Sequence, residues 1–439
     1  MIAKLIRLAN RLVGSSHKAC YEFAKAIYWR LPKTFRLHLM TVRIRMVSQR
    51  LTAGISDSIS SGGESSLSRL ASPWLARANN SEKIAVVSCG FEFDELVNQR
   101  PINAAKYFAD QGYFVIFVAW QWSPREKLIK GCAEVQSAIF QVPLYDFLDA
   151  TQVLHTREDD RSLFLVTFPA IPLVDLVRPL RSKGLSIIYD IMDEWECFFK
   201  VGQATWYDMQ LERSLVLESD HVMAVSPSLV DKFSSLRNDI NLIGNGYSAA
   251  TIGPEHKFVA KRKNVSEHIV GYFGHLTDSW FNWDFLFSAV SKLPDVKFEI
   301  IGYGAPDWVF SKAVEFPNLS LVGKILPRDL HTLARHWSAA LIPFKESPLA
   351  EAVDPIKIYE YLYFALPVVS TGIKHIQHYP YTSFATTDHE FIFSIKQAIS
   401  CEMDLQSLDD FLQQTTWSKR FSNIENLLNS NTLARLYAV

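Results

Sequence analysis

Lys357 and Glu360 stand three residues apart in the stretch DPIKIYEYLYFALPVVST at 354–371. Asp354-Pro355 reads as a helix start, with Pro at the first helical position, where its missing N–H costs nothing. Lys357 and Glu360 then share one face near the helix N-terminus. Exposed backbone N–H groups and the helix dipole favour a phosphate there, the Lys357 ammonium adds a full positive charge, and the Glu360 carboxylate suits two ribose hydroxyls. The same spacing also describes an ordinary Lys–Glu pair on a solvated face, which is common and weak. If PVVST forms the next strand, the site lies at the carboxyl ends of a sheet, where open α/β sheets bind ligands.

Other candidates lie at expected strand ends. Asp190, Asp193 and Glu194 crowd the segment YDIMDEW (189–195), where carboxylates bind acceptor hydroxyls or serve as a general base, or are simply solvated loop acids. Arg100 in NQRP (98–101) suits a phosphate or an acceptor, or caps a helix. Gly302-Tyr303-Gly304 follows an apolar run and would admit a nucleotide closely, but the rest of a dinucleotide fingerprint is missing. His331, His336, His375 and His378 lack acids at ligand spacing, so no metal site is expected. The five cysteines (Cys20, Cys89, Cys132, Cys197, Cys401) show no CxxC pair, which fits a reducing compartment better than a disulfide framework or a zinc site.

These residues need elements to hold them, and the apolar runs supply an α/β rhythm. IAVVSCG (84–90), YFVIFVAW (113–120), LFLVTFP (163–169), IIYDIMD (187–193), HVMAVS (221–226) and INLIGNG (240–246) read as a first series of buried strands, with helical spacing at 102–110. A second series runs through HIVGYFG (268–274), KFEIIGYG (297–304), LSLVG (319–323), AALIPF (339–344), PVVST (367–371) and FATT (384–387), with helical stretches near 283–292, 329–337 and 355–364. Two doubly wound domains follow, joined near Asn245-Gly246-Tyr247. The chain has 439 residues, 48% of them hydrophobic and 21% charged, which supports sizeable cores and excludes a collagen-like or wholly disordered chain. No apolar run approaches the roughly 18 residues that span a bilayer.

The net charge of −1 hides a polarity. Residues 1–50 carry eleven Lys or Arg against Glu22 alone, a charge of +10, while the rest of the chain holds 34 basic and 45 acidic residues, a charge of −11. Ile2, Leu5, Ile6, Ala9, Leu12 and Val13 share one helical face, with Lys4, Arg7 and Arg11 opposite, and Tyr28-Trp29 lies further on. That pattern fits a basic amphipathic arm on an anionic membrane surface, or a helix pair packed on the body. Arg7 and Arg11 break what would be the core of a signal peptide. Nucleic acid is not expected as a partner, since the body is acidic and the arm shows no nucleic-acid-binding fold. Residues 53–82, rich in Ser and Gly, read as a flexible linker.

The stretch around Lys357 and Glu360 resembles the nucleotide-sugar signature of GT-B glycosyltransferases, especially family 4-like enzymes of bacterial polysaccharide assembly. NQRP (98–101), AVSPSL (224–229), NGY (245–247), GYFGHLTDSW (271–280) and the helical TTWSKRFSNIENLL (415–428) are similar to that family in order and spacing. Beyond the basic extension at 1–52 and the linker at 53–82 read from charge and composition, the resemblance, which covers roughly residues 83–417, implies an acceptor domain at 83–245, a nucleotide-sugar donor domain at 246–410 and a helix at 411–439 crossing back to the first domain. It implies Glu360 on the donor ribose and Lys324-Ile325 at the donor base. Asp354, Gly304, Gly274 and His275 complete the donor side, with His275 and the Gly274 turn standing where the family has Arg and Lys. Lys357, Asp190 and Asp193 are the catalytic candidates, and Arg100 and Glu194 the acceptor-side ones. A second acid common in the family is replaced by Ala352. The expected activity is transfer from a nucleoside-diphosphate sugar to a glycan or lipid-linked acceptor, with retention of configuration, no cofactor and no metal, at the cytoplasmic face of the cell membrane. A nucleotide-sugar epimerase or phosphorylase on the same fold, or an inactive donor-binding scaffold of a polysaccharide assembly complex, remains open.

Overall fold

A computed structural model describes residues 73–94, 97–155, 161–260, 267–326 and 329–437, with side chains of the last helix as far as residue 428. The arm expected at 1–52 and the linker up to residue 72 lie outside the described residues.

The first domain holds β1 (Ile84–Cys89), β2 (Phe114–Ala119), β3 (Ala133–Gln136), β4 (Ile139–Pro143), β5 (Leu163–Val166), β6 (Ser186–Ile191), β7 (His221–Ala224) and β8 (Asn241–Leu242). The sheet order is β3-β4-β2-β1-β5-β6-β7-β8, and only β3 runs antiparallel to its neighbour. The second domain holds β9 (His268–His275), β10 (Val296–Tyr303), β11 (Leu319–Gly323), β12 (Ala339–Pro343), β13 (Val368–Thr371) and β14 (Thr382–Phe384), ordered β11-β10-β9-β12-β13-β14 and parallel throughout. Every residue of β1, β2, β5 and β12 is buried, as expected of near-continuous apolar runs covered by helices on both faces. Helices that matter for the site are α1 (Pro73–Asn80), α2 (Arg100–Asp110), α3 (Trp195–Lys200), α4 (Ile356–Tyr363), α5 (Asp388–Ile399) and α6 (Trp417–Tyr437).

Three local features depart from the sequence reading. The end of the expected linker is not loose: α1 buries Trp74, Leu75 and Ala78 in the first core, and Asn79 Nδ2 donates to the Val153 carbonyl at 3.1 Å. The β3–β4 hairpin carries no clean alternation in AEVQSAIFQVP, because Gln141 points inward and is satisfied there, accepting from Phe93 N at 2.8 Å and donating to the Gly131 carbonyl at 2.9 Å. The strand expected at 384–387 closes at Phe384, since Thr387 instead caps α5 in a reciprocal arrangement with Glu390.

At the joint, Tyr247 N donates to the Thr415 carbonyl at 3.3 Å and Trp417 N to the Tyr247 carbonyl at 3.0 Å. From there α6 returns to the first domain, where Trp417, Phe421, Ile424 and Leu428 pack with Tyr107 and Phe108 of α2. The two domains are thus tied at one edge and open toward a cleft.

Candidate functional site

A cleft of about 760 Å³ lies between the domains, at the carboxyl ends of both sheets. From the second domain Gly274, His275, Lys324, Ile325, Lys357 and Glu360 line it. Asn98, Arg100 and Asp193 face them from the first.

Lys357 and Glu360 stand in the first and second turns of α4, as their spacing predicts, and both are half-buried. Burial pulls the Lys357 ammonium down to about 8, with Glu360 opposing. Burial likewise pushes the Glu360 carboxyl up to about 7, against the hydrogen bond from Asn98 and the charge of Lys357. Lys357 Nζ lies 5.5 Å from the Tyr272 ring centroid and 5.2 Å from that of Phe344, so its stem is packed and its head held.

Two glycines near the carboxyl ends of adjacent strands stand beside Lys357. Gly274 and Gly302 pair across β9 and β10, and a Cβ on Gly302 would stand 1.8 Å from the Gly274 carbonyl oxygen. Gly274 has φ +144°, and a Cβ there would meet Tyr272 Oη at 2.8 Å and Lys357 Cε at 3.0 Å. Glycine at 274 therefore clears the space that Lys357 uses. The His275 ring packs between Trp280, 5.2 Å away, and Tyr303, 4.7 Å away, and its pKa is lowered by burial and by Lys357. Lys324 lies over the Tyr303 ring at 5.3 Å. Gly304 stands outside the cleft wall, which Gly302 and Tyr303 form; a Cβ at 304 would run into the His275 ring at 2.8 Å, so this glycine makes room for His275 instead of meeting a ligand.

Several of the expected site residues are engaged in contacts that hold the structure together. The Asp354 carboxylate lines the cleft and accepts from Asn245 N at 2.5 Å, Tyr359 Oη at 2.8 Å and Tyr379 Oη at 3.2 Å, so it also locks the joint. It does not cap α4: Pro355 is the cap residue and Ile356 the first helical one, one position later than expected. Asp190 is wholly buried in β6, where it accepts from Arg100 Nε at 2.7 Å and is screened from the cleft. Arg100 also donates to the Gly244 carbonyl at 2.9 Å, so it braces the joint while contributing to the cleft wall. Glu194 is buried against Lys232 in an ion pair, and neither residue is among those that line the cleft. Of the three clustered acids, only Asp193 reaches the cleft; burial pushes its carboxyl up to about 7, with Asp190 and Glu194 adding to the shift.

Two features escaped sequence reasoning. Asn98 donates from Nδ2 to Glu360 Oε1 at 2.8 Å, joining the domains inside the site. An aromatic wall formed by Phe168, Trp195, Phe198, Trp206 and Trp280 lines the cleft. The signal for the first was the polar residue opening NQRP, read only for its arginine. For the second it was the density of Trp and Phe at 195–206. Among the described residues, no group of three or more His, Cys, Asp or Glu is placed to hold a metal ion, and no helix is long and apolar enough to cross a membrane.

Residues 267–389, which hold Gly274, Lys324, Lys357 and Glu360, match the family described as glycosyl transferases group 1. TuaH of Bacillus subtilis (strain 168), named as a teichuronic acid biosynthesis glycosyltransferase, is 23% identical over 231 residues, covering 49% of this chain and 56% of TuaH. The chain thus spans about half the length of that curated relative. Among solved structures, α,α-trehalose 6-phosphate synthase from Burkholderia multivorans superposes with a TM-score of 0.58 at 11% identity, over 81% of this chain and 100% of that one. Anabaena HepE in complex with UDP and glucose gives 0.55 at 14%, over 80% and 100%, and the lipopolysaccharide outer core galactosyltransferase WaaB gives 0.54 at 12%, over 80% and 99%. The chain has the GT-B glycosyltransferase fold, two Rossmann-like domains facing across a cleft. Its second domain carries the glycosyl transferases group 1 match, in agreement with the resemblance read from the sequence.

Proposed function

We propose that the protein is a glycosyltransferase that moves a sugar from a nucleoside-diphosphate sugar to a glycan or lipid-linked acceptor in cell-surface polysaccharide biosynthesis. The observation that carries this reading is the placement of Lys357 and Glu360 on the first two turns of one helix, lining an interdomain cleft beside Gly274 at the end of β9. Glu360 accepts the ribose hydroxyls, while the diphosphate sits against the Gly274–His275 end of β9 beside Lys357. Lys357 strengthens its hold as negative charge accumulates on the departing diphosphate, which is where a preorganised cation lowers a barrier. Asp193 and the aromatic wall align the acceptor from the other side, so positioning supplies much of the remaining rate. The name of TuaH supports a polymer-building role, and the UDP and glucose bound by HepE support the donor class. Transfer proceeds without a metal and, by family resemblance, with retention of configuration. Residues 1–50, with their charge of +10, hold the enzyme at the inner membrane face beside a lipid-linked acceptor.

The test is a thermal-shift screen of UDP, GDP, ADP and their common sugars, because a ligand that binds only the folded state must raise the melting temperature. The best donor is then incubated with and without candidate acceptors. Release of the nucleoside diphosphate only with acceptor, and a product whose anomeric configuration matches the donor by NMR, are the expected results. Epimerisation of the donor without acceptor would replace this reading with the epimerase, and binding without any turnover would replace it with the scaffold.

A further inference from the structure

We infer that Lys232 is a positioning residue: it anchors α3 to the body of the first domain and so fixes Asp193 and the rings that follow it at the cleft. The inference rests on the glycosyltransferase reading above, in which those groups align the acceptor. It gives a role to a side chain that is not among those lining the cleft.

The need for an anchor is visible in α3 itself. None of its six residues is buried, so the close packing that fixes a core helix is missing. Its cap residue, Glu194, makes no side-chain hydrogen bond to the helix end, and the Glu194 carboxylate turns to Lys232 instead. Glu196, in the first turn, brings a second carboxylate to 3.8 Å from Lys232 Nζ. Lys232 stands on the helix Pro227–Phe233, which is sunk in the first core through Leu229 and Phe233. Behind it, Glu212 Oε2 lies 3.9 Å from Nζ, and the Glu212 carboxylate is itself held by Tyr189 Oη and Tyr207 Oη, each donating at 2.9 Å. A single ammonium therefore joins two carboxylates of a rim element to a third that is fixed in the body.

Charge makes this contact hard to replace. Without Lys232, three carboxylates would face one another where little water screens them, since the side chains of Glu194 and Glu212 are 10% and 2% exposed. Lys200 pairs with Glu196 at 2.7 Å but is 64% exposed, so water weakens its share. What moves with α3 is what the proposed reaction uses. Trp195 N donates to the Asp193 carbonyl at 3.0 Å, which ties Asp193 to the first turn, and Asp193 lines the cleft. Phe198, later on the same helix, meets Trp280 of the second domain at 6.0 Å. A shift of α3 carries both with it, and a misplacement of about an ångström is enough to cost about a hundredfold in rate.

The full chain is labelled with 5-fluorotryptophan, and the fluorine signals of Trp195 and Trp337 are assigned with Trp195→Phe and Trp337→Phe. In Lys232→Met the Trp195 signal should move or broaden while that of Trp337, in the second core, stays; Lys232→Arg should restore it. Release of UDP from UDP-glucose, UDP-galactose and UDP-N-acetylglucosamine is measured with the p-nitrophenyl glycosides of the same sugars as acceptors, and the UDP-induced thermal shift reports the donor side. In Lys232→Met, kcat should fall about tenfold or more with the UDP shift unchanged, and it should recover in Lys232→Arg. Added to Asp193→Asn, Lys232→Met should cost little more, because both act through one group. Circular dichroism checks folding, and Glu194→Gln, which removes the other half of the pair, replaces Lys232→Met if that variant is unfolded. An unmoved Trp195 signal overturns the anchor, and a moved signal with kcat within about twofold of the unaltered chain overturns the positioning role. An unaltered chain that releases UDP from no pair also overturns that role, and the UDP shift then shows separately whether the donor assignment stands.

Discussion

Asn98 of the first domain donates from Nδ2 to Glu360 Oε1 of the second at 2.8 Å, linking residues 262 positions apart. The Asn98 amide is itself fixed: its Oδ1 accepts from Trp417 Nε1 at 2.6 Å and from Asn103 Nδ2 at 3.2 Å, which leaves Nδ2 to face the carboxylate. The helix that crosses back between domains therefore helps aim the group assigned to the donor ribose. Glu360→Ala should lose several-fold to a hundredfold in donor affinity, about 1–3 kcal/mol for charge-assisted hydrogen bonds. Isothermal titration with the best nucleoside diphosphate reads this directly, and unchanged affinity in a folded variant refutes the site.

The two shifted groups on α4 set a pH window. Under the proposed roles, donor affinity needs Glu360 ionised and turnover needs Lys357 charged, so activity should peak between about 7 and about 8 and fall on both sides. The stability consequence has the opposite sense for Glu360. Its folded value lies above the ordinary 4.5, so the native state holds the proton more tightly and stability is lost as pH rises from about 4.5 through about 7. Glu360→Gln keeps an acceptor for Asn98 and removes the buried charge. It should raise the melting temperature at pH 8 and change it little at pH 4, while donor affinity drops; a lowered melting temperature at pH 8 would contradict the assignment.

If Lys357 carries the electrophilic role proposed for it, Lys357→Ala should lower kcat more than it raises KM. On the same proposal, in which protein groups meet the diphosphate charge, activity should also persist in excess EDTA. Abolition by chelation with rescue by Mg²⁺ or Mn²⁺ would move that role to a metal ion.

Asp190 and Asp193 differ in kind although three residues separate them. Asp190→Ala strands the buried Arg100 guanidinium and should destabilise the fold by about 3–5 kcal/mol, seen as a large fall in melting temperature. Asp193→Ala should leave stability nearly unchanged and impair acceptor-dependent turnover. Equal destabilisation by both would mean that Asp193 is also a structural acid.

The arm predicts a salt-sensitive membrane interaction. Polybasic segments gain roughly 1 kcal/mol per Lys or Arg near an anionic leaflet. The protein should co-sediment with anionic vesicles but not neutral ones, and high salt should release it as the screening length shortens. Deleting residues 1–50 should abolish sedimentation and spare donor binding. Sedimentation that survives the deletion assigns membrane binding to the body.

The order of strands and helices was legible in the sequence because parallel strands covered on both faces are continuous apolar runs, which stand out without any knowledge of their neighbours. Lys357 and Glu360 were legible for a related reason: their relation is a three-residue helical spacing, fixed locally. What the sequence left undecided was the fate of polar residues whose partners are remote. Arg100 lies 90 positions from Asp190, Lys232 lies 38 from Glu194, and Asn245 lies 109 from Asp354. Each of those acids belongs to a residue type that both ligands and struts use, and only the packed partner distinguishes the two. Asn98 and the aromatic wall are the converse case. Their residue types look like ordinary loop and core positions until the two domains close on one another. The chemistry on one helix was written in local spacing, and the tertiary structure alone decided which other polar groups face the cleft, because a buried charge is defined by what surrounds it.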